Sequence, residues 1–290
     1  MALVAFGCRG GHDRREPLYQ QGPPATIRAY SFAVHPLHNP ARLSAAYQPL
    51  IDHLDRRVPG AQFDLETSRD YGDFEAKIRT RSPAFLLPNP WQALRAMEAG
   101  YEVIAVAGDP EDFKGLILVR VDSGIHSLQD LRGRVVSYPS ATAVAACILP
   151  QALFHAQGID VNRELSNRYV GSQESSIMNV VLKFSAAGCT WPPPWRSFRK
   201  AHPEEAARLR VLAETPHLIN NAVMVRKDVP RAVRDQAREA LIHLHETPEG
   251  RTILEGMETR RFLPATDRDY DPVRRYIEKF EREVRPVVQP

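Results

Sequence analysis

Short runs of strand character alternate with segments of helical period along most of this chain. That alternation restricts the fold more than any other feature. Thr26–Val34, Gln62–Glu66, Ala84–Leu87, Tyr101–Ala107, Gly115–Arg120, Val135–Tyr138, Arg168–Val170, Ala187–Thr190, Arg210–Ala213 and Ala222–Arg226 read as strands. Helical spacing is expected at Pro40–Asp55, Tyr71–Thr80, Trp91–Ala99, Thr142–Gln157, Ser172–Phe184 and Pro203–Leu209. Three further helices, Pro230–His245, Glu249–Met257 and Asp271–Val284, finish the chain. Strands separated by helices imply mostly parallel pairing with helices on both faces. Interruptions near Arg120–Asp130 and Glu214–Asn221 divide the chain into two lobes, 26–120 plus 215–290 and 121–214. The expected fold class is therefore α/β, with two sheets flanked by helices and a cleft between the lobes. Ligands of open α/β sheets bind outside the carboxyl ends of the strands.

Composition narrows the partners. A net charge of +3 on 290 residues, with arginines scattered along helices, gives no dense basic stripe for nucleic acid. No apolar run approaches the roughly 20 residues that span a bilayer. The three cysteines have neither metal-ligand spacing nor the density of a disulfide framework. Cys147 and Cys189 read as small buried hydrophobes. The apolar stretch before Cys8 reads as the remnant of a lipoprotein signal, with Cys8 the candidate lipidation site and residues 1–25 a disordered leader.

No catalytic signature is present: the chain lacks GxSxG, HExxH, a Walker loop and GxGxxG. Neither cofactor nor metal is expected. Features that suit binding sit instead where a strand ends and a helix begins. Gly133–Pro150 reads as strand, polar turn and helix, which aims backbone N–H groups and the hydroxyls of Ser140 and Thr142 at one point. Asn89-Pro90-Trp91 follows a strand and places proline at a helix start. Ser172 caps the helix after Gly171, next to Gln173. Trp191-Pro-Pro-Pro-Trp195 reads as a stiff extended segment presenting two indoles. His35, Phe113, Tyr138, Ala143 and Asn221 complete the candidate lining.

The order of these features resembles the phosphate, phosphite and phosphonate solute-binding proteins of ABC importers, of the two-lobed type II periplasmic binding protein fold. Tyr47-Gln-Pro-Leu-Ile-Asp-His-Leu54 is similar to that family's first helix. Phe113–Ile125 with Leu128–Gly133, Gly171-Ser172, and Asn221–Pro230 are similar to its later landmarks. The resemblance covers about Thr26 to Val229. It implies a periplasmic, monomeric, non-enzymatic carrier that hands a small molecule to an inner-membrane transporter component.

Measured against that family, several polar positions are altered. The hydroxyl run that precedes a helix proline aligns with Ala143-Val144-Ala145-Ala146, counted back from Pro150. The family's histidine becomes Gln173, its aspartate Ala186 or Ala187, and an aromatic Leu87. Methyls in place of hydroxyls favour an apolar guest, stabilised by about 25 cal/mol per Å² buried. The expectation is therefore a lipid such as a sterol, held by Trp91, Trp195 and the alanines. The alternatives are a conventional oxyanion importer subunit, and a sensor or enzyme on the same fold.

Overall fold

The computed structural model describes residues 27–288. The expectations for residues 1–25, including Cys8, lie outside the described residues. The strands are β1 (Arg28–Val34), β2 (Ala61–Glu66), β3 (Phe85–Leu87), β4 (Tyr101–Ala107), β5 (Lys114–Arg120), β6 (Val135–Tyr138), β7 (Ser166–Tyr169), β8 (Ala187–Thr190), β9 (Leu209–His217), β10 (Ala222–Arg226) and β11 (Phe262–Pro264). The helices are α1 (Pro40–Arg57), α2 (Tyr71–Thr80), α3 (Pro90–Glu98), α4 (Leu149–Ala156), α5 (Gln173–Val181), α6 (Pro192–Ala201), α7 (Pro203–Ala206), α8 (Arg231–Ile242), α9 (Pro248–Gly256) and α10 (Asp271–Glu283).

Two sheets form, in the orders β11-β4-β10-β3-β1-β2 and β7-β6-β8-β5-β9. In the first, β1 pairs in parallel with β2 and β3, while β10 runs antiparallel to β3 and β4. In the second, β6 is parallel to β7 and β8, and β5 is antiparallel to β8 and β9. The sheets are thus mixed rather than mostly parallel. The strand that follows each passage between lobes, β5 or β10, enters against its neighbours.

The passages also lie elsewhere than the sequence suggested. Because β5 pairs with β8 and β9, it belongs to the second lobe. The first crossing is 108–113, just before β5, and the second is 218–221, just after β9. The first lobe's sheet is apolar on both faces: β3 and most of β10 are fully buried. Phe32 and Phe85 stack across β1 and β3 with centroids 6.0 Å apart. Each such side chain stabilises the fold by about 1.5–3 kcal/mol through burial. This packing fixes the carboxyl ends of β1 and β3, and with them the loops that face the second lobe.

Candidate ligand-binding site

Strand β6 ends at Tyr138, and the chain turns through Pro139 and Ser140. The Ser140 and Thr142 hydroxyls lie 3.0 Å apart, and the Thr142 N–H donates to Ser140 Oγ at 3.2 Å. Such short side-chain bonds to nearby backbone hold a turn without help from a sheet. Helical structure begins at Val144, but its first turn is a π turn over Val144–Ile148, in which the Ile148 N–H donates to the Ala143 carbonyl. The ring of Pro150 would press on the Ala146 carbonyl in a regular α-helix, and widening the turn relieves that clash. Gly115 of β5 makes room for the widened turn: a Cβ there would stand 2.5 Å from the Ala145 carbonyl oxygen. The sequence predicted one helix over Thr142–Gln157; the π turn displaces its regular part to α4.

The first lobe meets this turn with three polar side chains. Thr142 Oγ1 donates to Glu75 Oε1 at 2.6 Å. Gln92 Nε2 donates to the same oxygen at 3.2 Å. Asn89 Nδ2 donates to the Thr142 carbonyl at 3.1 Å. Asn89 is held by a reciprocal capping box with Gln92 at the start of α3, where Pro90 loses no hydrogen bond. Beside them, Gln173 Nε2 donates to the Tyr71 hydroxyl at 3.3 Å, and Thr190 Oγ1 donates to Gln173 Oε1 at 2.9 Å. Burial drives the Tyr71 hydroxyl well above its usual pKa, so it is neutral and able to donate. The two lobes therefore touch through a buried polar seam, in which Thr142 donates to the Glu75 carboxylate and Asn89 donates back to the Thr142 carbonyl.

A shallower crevice, with about 20 Å³ open to a water-sized molecule, runs beside the seam between Leu37, Leu87, Trp191, Pro194 and Asn221. Phe113 packs edge-on against Trp191, with centroids 5.4 Å apart. The Asn221 side-chain oxygen is buried without a hydrogen-bond partner.

Of the predicted site residues, Asn89, Ser140, Thr142 and Gln173 converge on the seam, and Phe113, Trp191 and Asn221 lie at the crevice. The others go elsewhere. His35 is buried in the first lobe, its Nδ1 hydrogen-bonded to the Leu87 carbonyl at 2.8 Å. Tyr138 is buried beside Tyr169 within the second lobe. Ala143 and the alanines after it are buried in the π turn. Trp91 carries Arg95 over its ring and lines an outer groove between α2 and α3. Trp195 stacks on Phe198 in a separate cluster of the second lobe. The segment carrying it is not extended: Pro192, Pro193 and Pro194 form the first turn of α6, where no N–H needs an intrahelical partner. Sequence reasoning missed Glu75, Tyr71 and Gln92. Gln92 was findable, since an asparagine followed three residues later by glutamine is a capping signal.

Residues 32–270 match the family of periplasmic substrate-binding proteins of phosphonate ABC transporters. The chain belongs to that family. Among its relatives is the phosphate-import protein PhnD of Mycolicibacterium smegmatis, 23% identical over 194 residues, with 62% of this chain and 59% of that protein covered. The binding protein component of an ABC phosphonate transporter from Pseudomonas aeruginosa superposes with a TM-score of 0.81 at 16% identity, covering 88% of this chain and 87% of that one. PhnD1 from Prochlorococcus marinus, solved with methylphosphonate, gives 0.81 at 15% identity, covering 87% and 98%. This phosphonate-binding family member has the two-lobed fold of those structures, and members of the family are binding proteins rather than enzymes. Among the described residues no helix is long and apolar enough to cross a membrane.

Proposed function

We propose that this protein is the periplasmic solute-binding subunit of an ABC importer, and that its solute is a small tetrahedral oxyanion of the phosphonate class. The observation that carries the reading is the Ser140–Thr142 turn. The reading rests on two hydroxyls that stand together just after the carboxyl end of β6, where Thr142 meets Glu75 of the first lobe. Hydroxyl donors set together suit an oxyanion, and hydrogen bonds to a charged acceptor are the strong ones. Contacts to both lobes would make the solute favour the closed arrangement over an open one, which is the signal a membrane component can read.

The lipid reading has less support. The alanines that prompted it are packed against β5 and do not line a cleft. Trp91 lines the groove between α2 and α3, and Trp195 packs in a cluster of the second lobe.

Calorimetric titration with methylphosphonate, phosphite, phosphate and a sterol tests the assignment. Thr142→Val keeps the shape of the side chain and removes its hydroxyl. It should weaken binding of the preferred anion about 10- to 100-fold. Sterol binding without binding of any oxyanion would overturn the reading.

A further inference from the structure

Glu258 holds a backbone conformation that its residue type resists. It follows α9 with φ at 53°, in the left-handed region. The Glu258 N–H donates to the Glu255 carbonyl at 3.0 Å, and the Thr259 N–H to the Leu254 carbonyl at 3.0 Å. That pair of bonds ends a helix on a left-handed residue, a position where glycine is the usual choice because it has no Cβ. Arg81 and Lys183, the other non-glycine residues with positive φ among the described residues, are exposed. The Glu258 side chain is 13% exposed and meets the second lobe. Arg196 Nε donates to Glu258 Oε2 at 3.1 Å, and Lys200 Nζ to Oε1 at 2.6 Å. Arg196 Nη2 also donates to the Glu258 carbonyl at 3.0 Å. The fork of the same guanidinium holds both Asp112 carboxylate oxygens, at 3.0 and 3.1 Å. Beside them, Arg42 of α1 donates to the Ser197 carbonyl at 2.9 Å. These bonds join α6 to the first lobe and to the crossing at 108–113, outside the seam that holds Ser140 and Thr142.

We propose that Glu258 is a positioning residue for lobe closure, a strained helix end whose carboxylate clasps α6 before any solute arrives. Asp112 lies on a crossing, near the axis about which the lobes would turn, so its pair with Arg196 survives opening. Glu258 stands off the crossing, so its bonds to Arg196 and Lys200 exist only while the lobes meet. Strained backbone persists where the surrounding contacts over-determine it, and here those contacts come from the other lobe. Glycine at this position would give α9 a better end and the lobes a weaker hold. The apparent affinity for a solute scales with the fraction of molecules already closed. The clasp therefore tunes affinity without touching the solute.

Small-angle X-ray scattering of the solute-free protein and calorimetry with methylphosphonate test this. In Glu258→Gly the thermal midpoint should equal or exceed that of the unmodified chain, because the left-handed position is relieved. The radius of gyration should nevertheless rise. Methylphosphonate affinity should fall about 3- to 10-fold, the range of partly exposed ion pairs acting through the closed fraction. Saturating methylphosphonate should return the radius to that of the unmodified chain. Glu258→Gln keeps the strained backbone and the side-chain length but removes the charge, so it should open the lobes with no gain in midpoint. Arg196→Met cuts the clasp from the other side and should raise the radius at least as far. An unchanged radius in Glu258→Gly overturns the proposal, since the lobes then hold without the clasp. So does a midpoint that falls as far as that of Glu258→Gln, since Glu258 would then support the fold rather than closure. The scattering needs no solute: a protein that binds no methylphosphonate refutes the oxyanion reading, and the clasp is still judged by the radius.

Discussion

At the scale of single residues, burial decides protonation. His35 is enclosed by Tyr71 and Phe74, with ring centroids at 6.2 and 6.3 Å, and its Nδ1–H donates to the Leu87 carbonyl. Burial is the main reason that its pKa is pushed down to about 4; the neighbouring His38 lowers it further, and the carbonyl acts in the other direction. An unfolded chain binds this proton near pH 6.5, so it gains the proton first as the pH falls. Stability should therefore be full above pH 6.5 and decline towards pH 4, by about 1.4 kcal/mol per pH unit for this imidazole. Urea unfolding at pH 7, 6 and 5 should show that decline, and His35→Gln should make it shallower, leaving the share of His38, which burial also pushes down to about 4. Parallel profiles for the two proteins would refute the assignment. The sequence analysis made His35 a ligand candidate. Its acceptor lies 52 residues away, beyond the reach of local pattern. Glu75 was hidden for the same reason, since Thr142 is 67 residues distant. Asn89 was visible because its capping partners are its neighbours.

At the scale of elements, close packing sets the shape of the seat. Strands β4, β6, β8 and β10 and helix α2 fall where periodicity put them, because each carries a clean apolar pattern bounded by turn residues. The π turn and α6 do not, because proline has two readings. A run of prolines is extended when isolated, yet it fits a first helical turn when Trp191 precedes it as cap and Trp195 accepts the role of first donor. The short β11 went unseen, since three residues ending in Pro264 give no period; proline is tolerated there at the sheet's edge. Gly115 joins these elements to the site. In Gly115→Ala the new methyl meets the Ala145 carbonyl at 2.5 Å and the Pro150 ring at 2.9 Å. Backbone must shift, at a cost of about 1–3 kcal/mol. The shift falls within the turn that presents Ser140 and Thr142. Thermal unfolding should drop by several degrees, and anion affinity should fall with it. Gly256→Ala, where nothing stands within 4 Å of a new Cβ, should change neither. A Gly115→Ala protein with unaltered stability would show that the π turn moves freely.

At the scale of the molecule, the lobes are joined by more than the two crossings and the seam. Arg196 of α6 pairs with Asp112 on the first crossing and with Glu258 after α9, at 3.0 and 3.1 Å. On the other side, α10 packs on α3 of the first lobe, and its tail reaches into the second. Asn162 Nδ2 donates to the Val284 carbonyl at 2.9 Å. Arg285 follows: its guanidinium donates to the Ala141 carbonyl at 2.9 Å and to Gln151 Oε1 at 2.7 Å, and lies 5.4 Å from the Phe280 ring centroid. A cation thus backs the turn that carries Ser140 and Thr142, holding the Ala141 peptide through its carbonyl. Hydrogen bonds from a charged donor contribute about 1.5–3 kcal/mol when buried and less here, where the side chain is partly exposed. Arg285→Ala should destabilise the protein by about 1–2 kcal/mol. Amides of residues 141–147 should exchange with solvent faster than those of β6, and anion affinity should drop several-fold. Arg285→Lys keeps the charge but cannot reach both acceptors in a fork, so its exchange should fall between the two. If exchange in the turn is the same in all three proteins, the strap holds the lobes together without ordering the seat, and the loss of affinity should vanish as well.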